Sequence, residues 1–270
     1  MDHLSNSQLE MYAKCGEQYR RAYIEKDREP PGIALHVGRA CHAGIETNFS
    51  QKIESHKDLK VSHIRDAAVA SLEEGIEQDG ISLDGDESAE STIGRAIDET
   101  ARVASHHGVE VAPEYQPTHV EEWVKLEIPK LETSLVGVID LVDDKARVTD
   151  FKTARRSYNG SEAAESVQLT IYSLLHQKLT GAAPESVRLD VSAIGKDEIK
   201  RQVLESKRTP LDVEILARRI QSMMSGINAG VFPPAPVGAW YCSPKWCGFW
   251  HSCPYVNSER IEKEIQANGK

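Results

Sequence analysis

The chain has 270 residues, 40% of them hydrophobic, which is enough for a large core, and no run of apolar residues is long enough to cross a bilayer. A formal net charge of −10 argues against a general nucleic-acid binder, which is usually basic. The start, Met1-Asp2-His3-Leu4-Ser5, has neither the basic residues nor the apolar stretch of a secretory signal, so a cytoplasmic protein without a membrane segment is expected.

Ser5 with Gln8 fits a capping box and Leu4 with Leu9 a hydrophobic staple, which predicts a first helix running to about Tyr23 with Cys15 midway along it. Pro30-Pro31-Gly32 breaks the chain. A second helix is expected from near Leu35, with Gly38, His42, Ile45, Glu46 and Phe49 sharing one face. The stretch from about 60 to 108 reads as helical around a loop at Gly80 to Asp86, so a helical insertion is expected over about 55–110. Eight acidic residues and no Lys or Arg fall between Glu73 and Glu90, and the rest of the chain is close to neutral.

Strand character begins near Val120, where Val120, Val124, Leu126 and Ile128 alternate with Glu121, Trp123, Lys125 and Glu127. Leu135 to Val142 follows, then a turn at Asp143-Asp144-Lys145 and a return from Ala146 to Lys152. A helix from about Ala164 to Leu179, strands at Val187–Ile194 and Ile199–Leu204, and an amphipathic helix from Leu211 to Asn228 complete the pattern. Such an order fits an α/β (α+β) domain with a mixed central sheet flanked by helices.

Two of these strands carry chemistry. Gly137-Val138-Ile139-Asp140 ends an apolar run on a carboxylate, and Asp150-Phe151-Lys152-Thr153 follows ten residues later across a short turn. Asp150 and Lys152 are two apart, so on a strand both face the same side. A phosphodiester repels nucleophiles because its oxygens are anionic. A divalent ion neutralises that charge and lowers the pKa of water, and magnesium or manganese takes oxygen ligands such as Asp140 and Asp150. Lys152 there can orient or deprotonate water or stabilise transition-state charge. Basic residues surround the triplet: Lys145, Arg147, Arg155 and Arg156. A second group, Lys196, Lys200, Arg201, Lys207 and Arg208, reads equally well as a solvated face.

With Gly38-Arg39-Ala40-Cys41-His42 before these strands and Gln168-Leu169-Thr170-Ile171-Tyr172 after them, the order resembles the PD-(D/E)xK nuclease superfamily, and more narrowly its RecB-like exonuclease branch. The resemblance spans about residues 4 to 255. It implies a restriction-endonuclease-like fold in a single nuclease domain over 1–270. It further implies a metal site of His42, Asp140, Asp150 and the Phe151 backbone carbonyl. Lys152, Gln168 and Tyr172 would act beside Asp140 and Asp150 in catalysis, and Gln168 and Tyr172, with Arg155 and Arg156, would contact DNA. The branch often carries a glutamate before the first aspartate. Apolar alternation favours Glu122 for it and position favours Glu121. Glu46 could reach the metal or pair with Arg39.

Five cysteines are present, and Cys242, Cys247 and Cys253 crowd the C-terminal end, which in a reducing compartment suggests metal ligation. Their spacings are not those of zinc ribbons, and Cys15 is the natural fourth ligand, with His251 a substitute. The arrangement resembles a subset of RecB-like nucleases, AddB-type subunits and CRISPR-adaptation exonucleases, in which one cysteine before the nuclease motifs and three after them hold a [4Fe–4S] cluster. In those, the first pair of the trio is usually closer than Cys242 and Cys247 are here. The implied cofactors are magnesium or manganese and the iron–sulfur cluster, with zinc as the alternative. The cluster region would be 238–256 and would join the N-terminal helix to the tail. Cys41 is left over and reads as a buried thiol. Trp240, Tyr241, Trp246, Phe249 and Trp250 read as packing around the cysteines.

The expected function is a metal-dependent DNA exonuclease acting on single strands or duplex ends, in DNA recombination or repair. No Walker P-loop is present, so unwinding would fall to a partner helicase or recombination protein. Two alternatives remain open: a non-catalytic DNA-binding or scaffolding module of the same fold, and a zinc- or cluster-binding interaction protein.

Overall fold

A computed structural model describes residues 3–27, 29–83, 88–128 and 133–256. In chain order the helices are α1 (Asn6–Lys14), α2 (Gly16–Tyr19), α3 (Ile33–Ser55), α4 (Val61–Asp79), α5 (Ala89–His106), α6 (Glu162–Glu165), α7 (Val167–Thr180) and α8 (Pro210–Asn228). The strands are β1 (Pro117–Ile128), β2 (Thr133–Asp143), β3 (Arg147–Ala154), β4 (Ser186–Ile194) and β5 (Ile199–Ser206). The chain divides into two compact units: Met1–Asn6 with Pro31–Ile220, and Ser7–Pro30 with Gln221–Lys270.

The larger unit is built on one mixed sheet in the order β1-β2-β3-β4-β5. β1, β2 and β3 form an antiparallel meander, β3 and β4 run parallel, and β5 returns antiparallel to β4. The parallel step needs a long crossover, and α6 and α7 supply it. Leu4, wholly buried, lies alongside β2: its amide donates to the Ser134 carbonyl at 2.7 Å and its carbonyl accepts from Val136 at 2.8 Å. The mixed sheet flanked by helices is the architecture anticipated from the sequence.

The sheet is anchored to α3 by a cluster of Ile45, Phe49, Val111, Ala112, Tyr115, Leu141 and Phe151. Phe49, Tyr115, Phe151 and the imidazole of His107 pack as rings 5.3 to 6.1 Å apart, mostly edge to face. α4 and α5, the region read as an insertion, cover α3 through Val37, Ala40, Cys41, Leu72, Ala96 and Val103. The loop between them falls partly at 84–87, outside the described residues. α3 and α4 approach so closely that a Cβ on Gly44 would meet the Ile64 carbonyl oxygen at 2.9 Å.

In the smaller unit the predicted single N-terminal helix is interrupted. α1 ends at Lys14, and Cys15 is extended and caps α2, its sulfur accepting from Gln18 N at 3.4 Å. The cause is close packing at the next residue: a Cβ on Gly16 would lie 2.7 Å from Phe232 and Pro233, and the Gly16 amide donates to the Pro233 carbonyl at 2.6 Å. A π-helical turn, Arg20–Ile24, continues the path. Tyr19 stacks between Tyr23 and Phe232, and Arg21 lies 4.4 Å over the Phe249 ring while donating to Ser252 Oγ at 2.8 Å.

Candidate active site

The site lies in the larger unit, where α3 meets β1, β2 and β3. His42 projects from the middle of α3, one turn before Ile45 and two before Phe49, which seat the helix on the sheet. Its Nε2 donates to the Phe151 carbonyl at 3.0 Å, and its Nδ1 lies 3.4 Å from Glu121 Oε1 and 3.5 Å from Asp140 Oδ2. Asp140, buried on β2, accepts from the Phe151 amide at 2.9 Å. The main chain of Phe151 therefore holds two candidate ligands, one through its N–H and one through its carbonyl.

Asp150 is buried on β3 and Lys152 reaches back to it, with Nζ bonded to Oδ1 at 3.1 Å and lying 2.8 Å from Oδ2 but out of hydrogen-bonding line with it. The same ammonium donates to Gln168 Oε1 at 2.9 Å, and Gln168 Nε2 donates to the Tyr172 hydroxyl at 2.9 Å. Gln168 and Tyr172 stand one turn apart on α7. Ser166 caps that helix by accepting from Leu169 N, which sets where the turn begins.

The electrostatics are those of crowded carboxylates taken out of water. Burial raises Asp140 above the usual carboxylate range, with the His42 charge pulling the other way. Asp150 is pushed up to about 7 by burial and then by Asp140, against the pull of Lys152. Burial opposes the charge on His42, but the hydrogen bond to Glu121 and the fields of Asp140, Glu121 and Asp150 outweigh it and lift the imidazole to about 9. Burial likewise opposes the Lys152 ammonium, and Asp150 more than restores it, so its pKa lies above the ordinary lysine value. Tyr172 is raised by burial and by the two aspartates.

His42, Glu121 and Asp140 each offer one ligand atom, and these atoms all lie within 4.8 Å of one another. Ligands on opposite sides of a magnesium ion at about 2.1 Å stand about 4.2 Å apart, so the group is close to the size a hard cation needs. Two carboxylates and an imidazole are also a suitable donor set. Glu121, not Glu122, is therefore the glutamate at the site. The alternation argument fails because Glu121 has φ of +48°, in the left-handed region, which breaks the regular strand there. Glu46 is exposed, and Arg39 pairs with Asp79 at 2.9 Å, not with Glu46.

Arg155 and Arg156 follow the end of β3 and line one open pocket with Lys196 and Lys200, which flank the hairpin joining β4 to β5. Arg155 is paired with Glu99 at 2.7 Å and Lys200 with Glu198 at 3.2 Å. Two other cations of the second basic group, Arg201 and Arg208, have structural roles. Arg201 bonds buried Asp190 and the Glu110 carbonyl, and Arg208 donates to the carbonyls of Ala163 and Ser166. Cys41 is buried, and burial pushes its thiol up to about 12, as an inert side chain requires.

In the smaller unit Cys15, Cys242, Cys247 and Cys253 line one small cavity with Glu17, Arg21 and Phe249. Burial raises the Cys247 thiol, and the other three cysteines add to it, so all four are electrostatic neighbours. His251 does not line that cavity. Trp240 and Trp246 pack edge to face at 5.3 Å.

The sequence model of the PD-(D/E)XK nuclease superfamily matches residues 3–254, and the chain belongs to that superfamily. It is 24% identical over 269 residues to the Gene 69 protein of Mycobacterium phage D29, covering 93% of this chain and 96% of that one. The crystal structure of a "Putative exonuclease" from Eubacterium rectale shares the fold, with a TM-score of 0.58 at 11% identity over 90% of this chain and 88% of that one. The described residues contain no helix long and apolar enough to cross a membrane.

Proposed function

We propose that this nuclease is a magnesium- or manganese-dependent deoxyribonuclease of the RecB-like branch, acting as an exonuclease on single-stranded DNA or duplex ends in the cytoplasm. One observation carries the reading. His42 from α3, Asp140 from β2, Asp150 and Lys152 from β3, and Gln168 and Tyr172 from α7 form two hydrogen-bonded groups that share β3. His42, Glu121, Asp140, Asp150 and the Phe151 carbonyl would hold the ion, which would offset phosphate charge and lower the pKa of water. Without it, the protonated His42 is the cation that balances Glu121 and Asp140. Lys152 stays charged beside Asp150, so its role is to stabilise charge on the phosphoryl oxygens, with Gln168 and Tyr172 fixing its direction. Arg155 and Arg156, joined by Lys196, contact backbone phosphates beyond the cleavage point, and Gln168 and Tyr172 border the strand. The nuclease domain is read as one functional module spanning 1–270, with α4 and α5 as its helical insertion, working beside a helicase or recombination partner.

The four cysteines are read as a [4Fe–4S] site closing region 238–256 onto Cys15. One fact supports it: the four share one cavity. Anaerobic purification should give a brown protein absorbing near about 400 nm. A colourless protein with stoichiometric zinc would overturn the cluster.

The central test is digestion of end-labelled single- and double-stranded DNA with magnesium or manganese. Wild type should degrade it, and Asp150→Ala and Lys152→Ala should each lose at least about 100-fold in rate. Wild-type rates in both variants would remove the catalytic assignment.

A further inference from the structure

Trp123 stands on β1 paired with Val138 of β2, and the two are 61% and 37% exposed. The other face of this part of the hairpin is sealed. Val124 is buried, and its partner Gly137 lies against α7 so closely that a Cβ there would meet Leu175 Cδ1 at 2.8 Å and Tyr172 Cε1 at 3.4 Å. Trp123 and Val138 therefore face away from α7. Glu121 is two residues before Trp123 and Asp140 two residues after Val138. Two residues of strand span about 7 Å. The indole and its valine thus form a small apolar shelf about 7 Å along the hairpin from the carboxylates that His42 contacts.

Exposed tryptophans also occur beside the cysteines, but Trp240 and Trp246 pack on each other. Trp123 has no ring neighbour among the described residues. A ligand that places an anion at the carboxylate–cation site and a flat π-face about 7 Å away is a nucleotide. Stacking on an aromatic side chain tolerates any base, because every base has a π-face.

We propose that Trp123, backed by Val138, stacks a nucleobase of the substrate strand next to the phosphate being cleaved. The proposal rests on reading the carboxylate site as the nuclease centre, and it sharpens the substrate class. A base inside a duplex has both faces covered by its neighbours. The shelf therefore takes an unpaired base, and duplex DNA must fray at its end before it is held productively.

The test is equilibrium binding in EDTA at low salt, where no cleavage occurs. It compares a labelled single-stranded oligonucleotide with an abasic one of the same length and phosphate count. Wild type should bind the normal strand more tightly than the abasic strand. Trp123→Ala should weaken the normal strand about 5- to 150-fold and leave the abasic strand unchanged, and Trp123→Phe should restore most of the loss. Equal affinity of wild type for both strands, or binding to neither, overturns the shelf. So does a Trp123→Ala variant that weakens both strands equally. The nuclease reading stands apart: it fails only if wild type leaves DNA intact with either metal, whatever Trp123 does.

Discussion

The side chain of His107 shows how one buried residue makes this fold acid-sensitive. It starts the π-helical turn after α5 and packs edge to face on Phe49 and Phe151 at 5.3 Å each. Its Nε2 is buried without a hydrogen-bond partner among the described residues. Burial, then the charge of Arg201, lowers its pKa to about 3. An unfolded histidine titrates near 6.5, so below that pH the unfolded chain takes up a proton that the folded one refuses. The stability His107 confers is whole above about pH 6.5 and is lost as pH falls towards about 3, by at most about 1.4 kcal/mol per pH unit. Asp150 has the opposite sign in the metal-free protein: raised to about 7, it contributes stability that is whole below its unfolded value and lost as pH rises through about 7. His107→Phe keeps a ring in the cluster and removes only the first effect. Its urea midpoint should fall less steeply than wild type's between pH 6.5 and 4. Parallel curves would mean that the imidazole is not confined as described.

Strand β1 carries its site residue on a local defect. Glu121 has φ of +48°, which costs a non-glycine residue roughly 1–2 kcal/mol, and the register still advances evenly from Val120↔Leu141 to Glu122↔Ile139. The strain coincides with a carboxylate turned towards His42, the kind of defect that collects at functional sites. Glu121→Gly and Glu121→Ala both delete the carboxylate, but only glycine relieves the backbone. The glycine variant should be more stable than the alanine variant by about 1 kcal/mol in urea unfolding, with both impaired in DNA digestion. Equal stabilities would show that position 121 is not left-handed in solution. This defect also marks where the sequence stops being legible. The motif order that the chain resembles singles out His42, Asp140, Asp150, Lys152, Gln168 and Tyr172 as candidates, and the fold brings them together in two hydrogen-bonded groups. Glu121 is not singled out, because alternation assumes extended backbone on both sides of it. The expectation of Cys15 midway along a helix fails for a related reason. The break after Lys14 follows from Gly16 packing against Phe232 and Pro233, more than 200 residues away in sequence. Lys196 and Arg201 look alike in sequence, and only the fold gives Arg201 a buried Asp190 to hold.

Across the whole chain, the smaller unit joins segments from its two ends. Ser7–Pro30 meets Gln221–Lys270 through the Tyr12–Tyr19–Phe232 rings, the Gly16–Pro233 hydrogen bond and the Arg21 contacts with Phe249 and Ser252. Tyr19 and Phe249 are buried in this unit, while Trp240, Trp246 and Tyr255 stay exposed. The entropy opposing this meeting is that of closing a loop of more than 200 residues, which a covalent or metal link at the same point would remove from the unfolded state, worth about 5 kcal/mol on a simple loop-closure estimate. The proposed ligation by Cys15, Cys242, Cys247 and Cys253, which all line one cavity within this unit, would supply it. Cys247→Ser should therefore loosen the smaller unit first. Brief proteolysis of anaerobically purified protein should cut the variant within residues 7–30 or 221–256 well before wild type, while 31–220 persists as a resistant fragment. Chelation of iron from wild type should reproduce that pattern. If the variant and the chelated protein resist protease as wild type does, the tyrosine and phenylalanine contacts hold the two ends together unaided, and the cysteines contribute no staple.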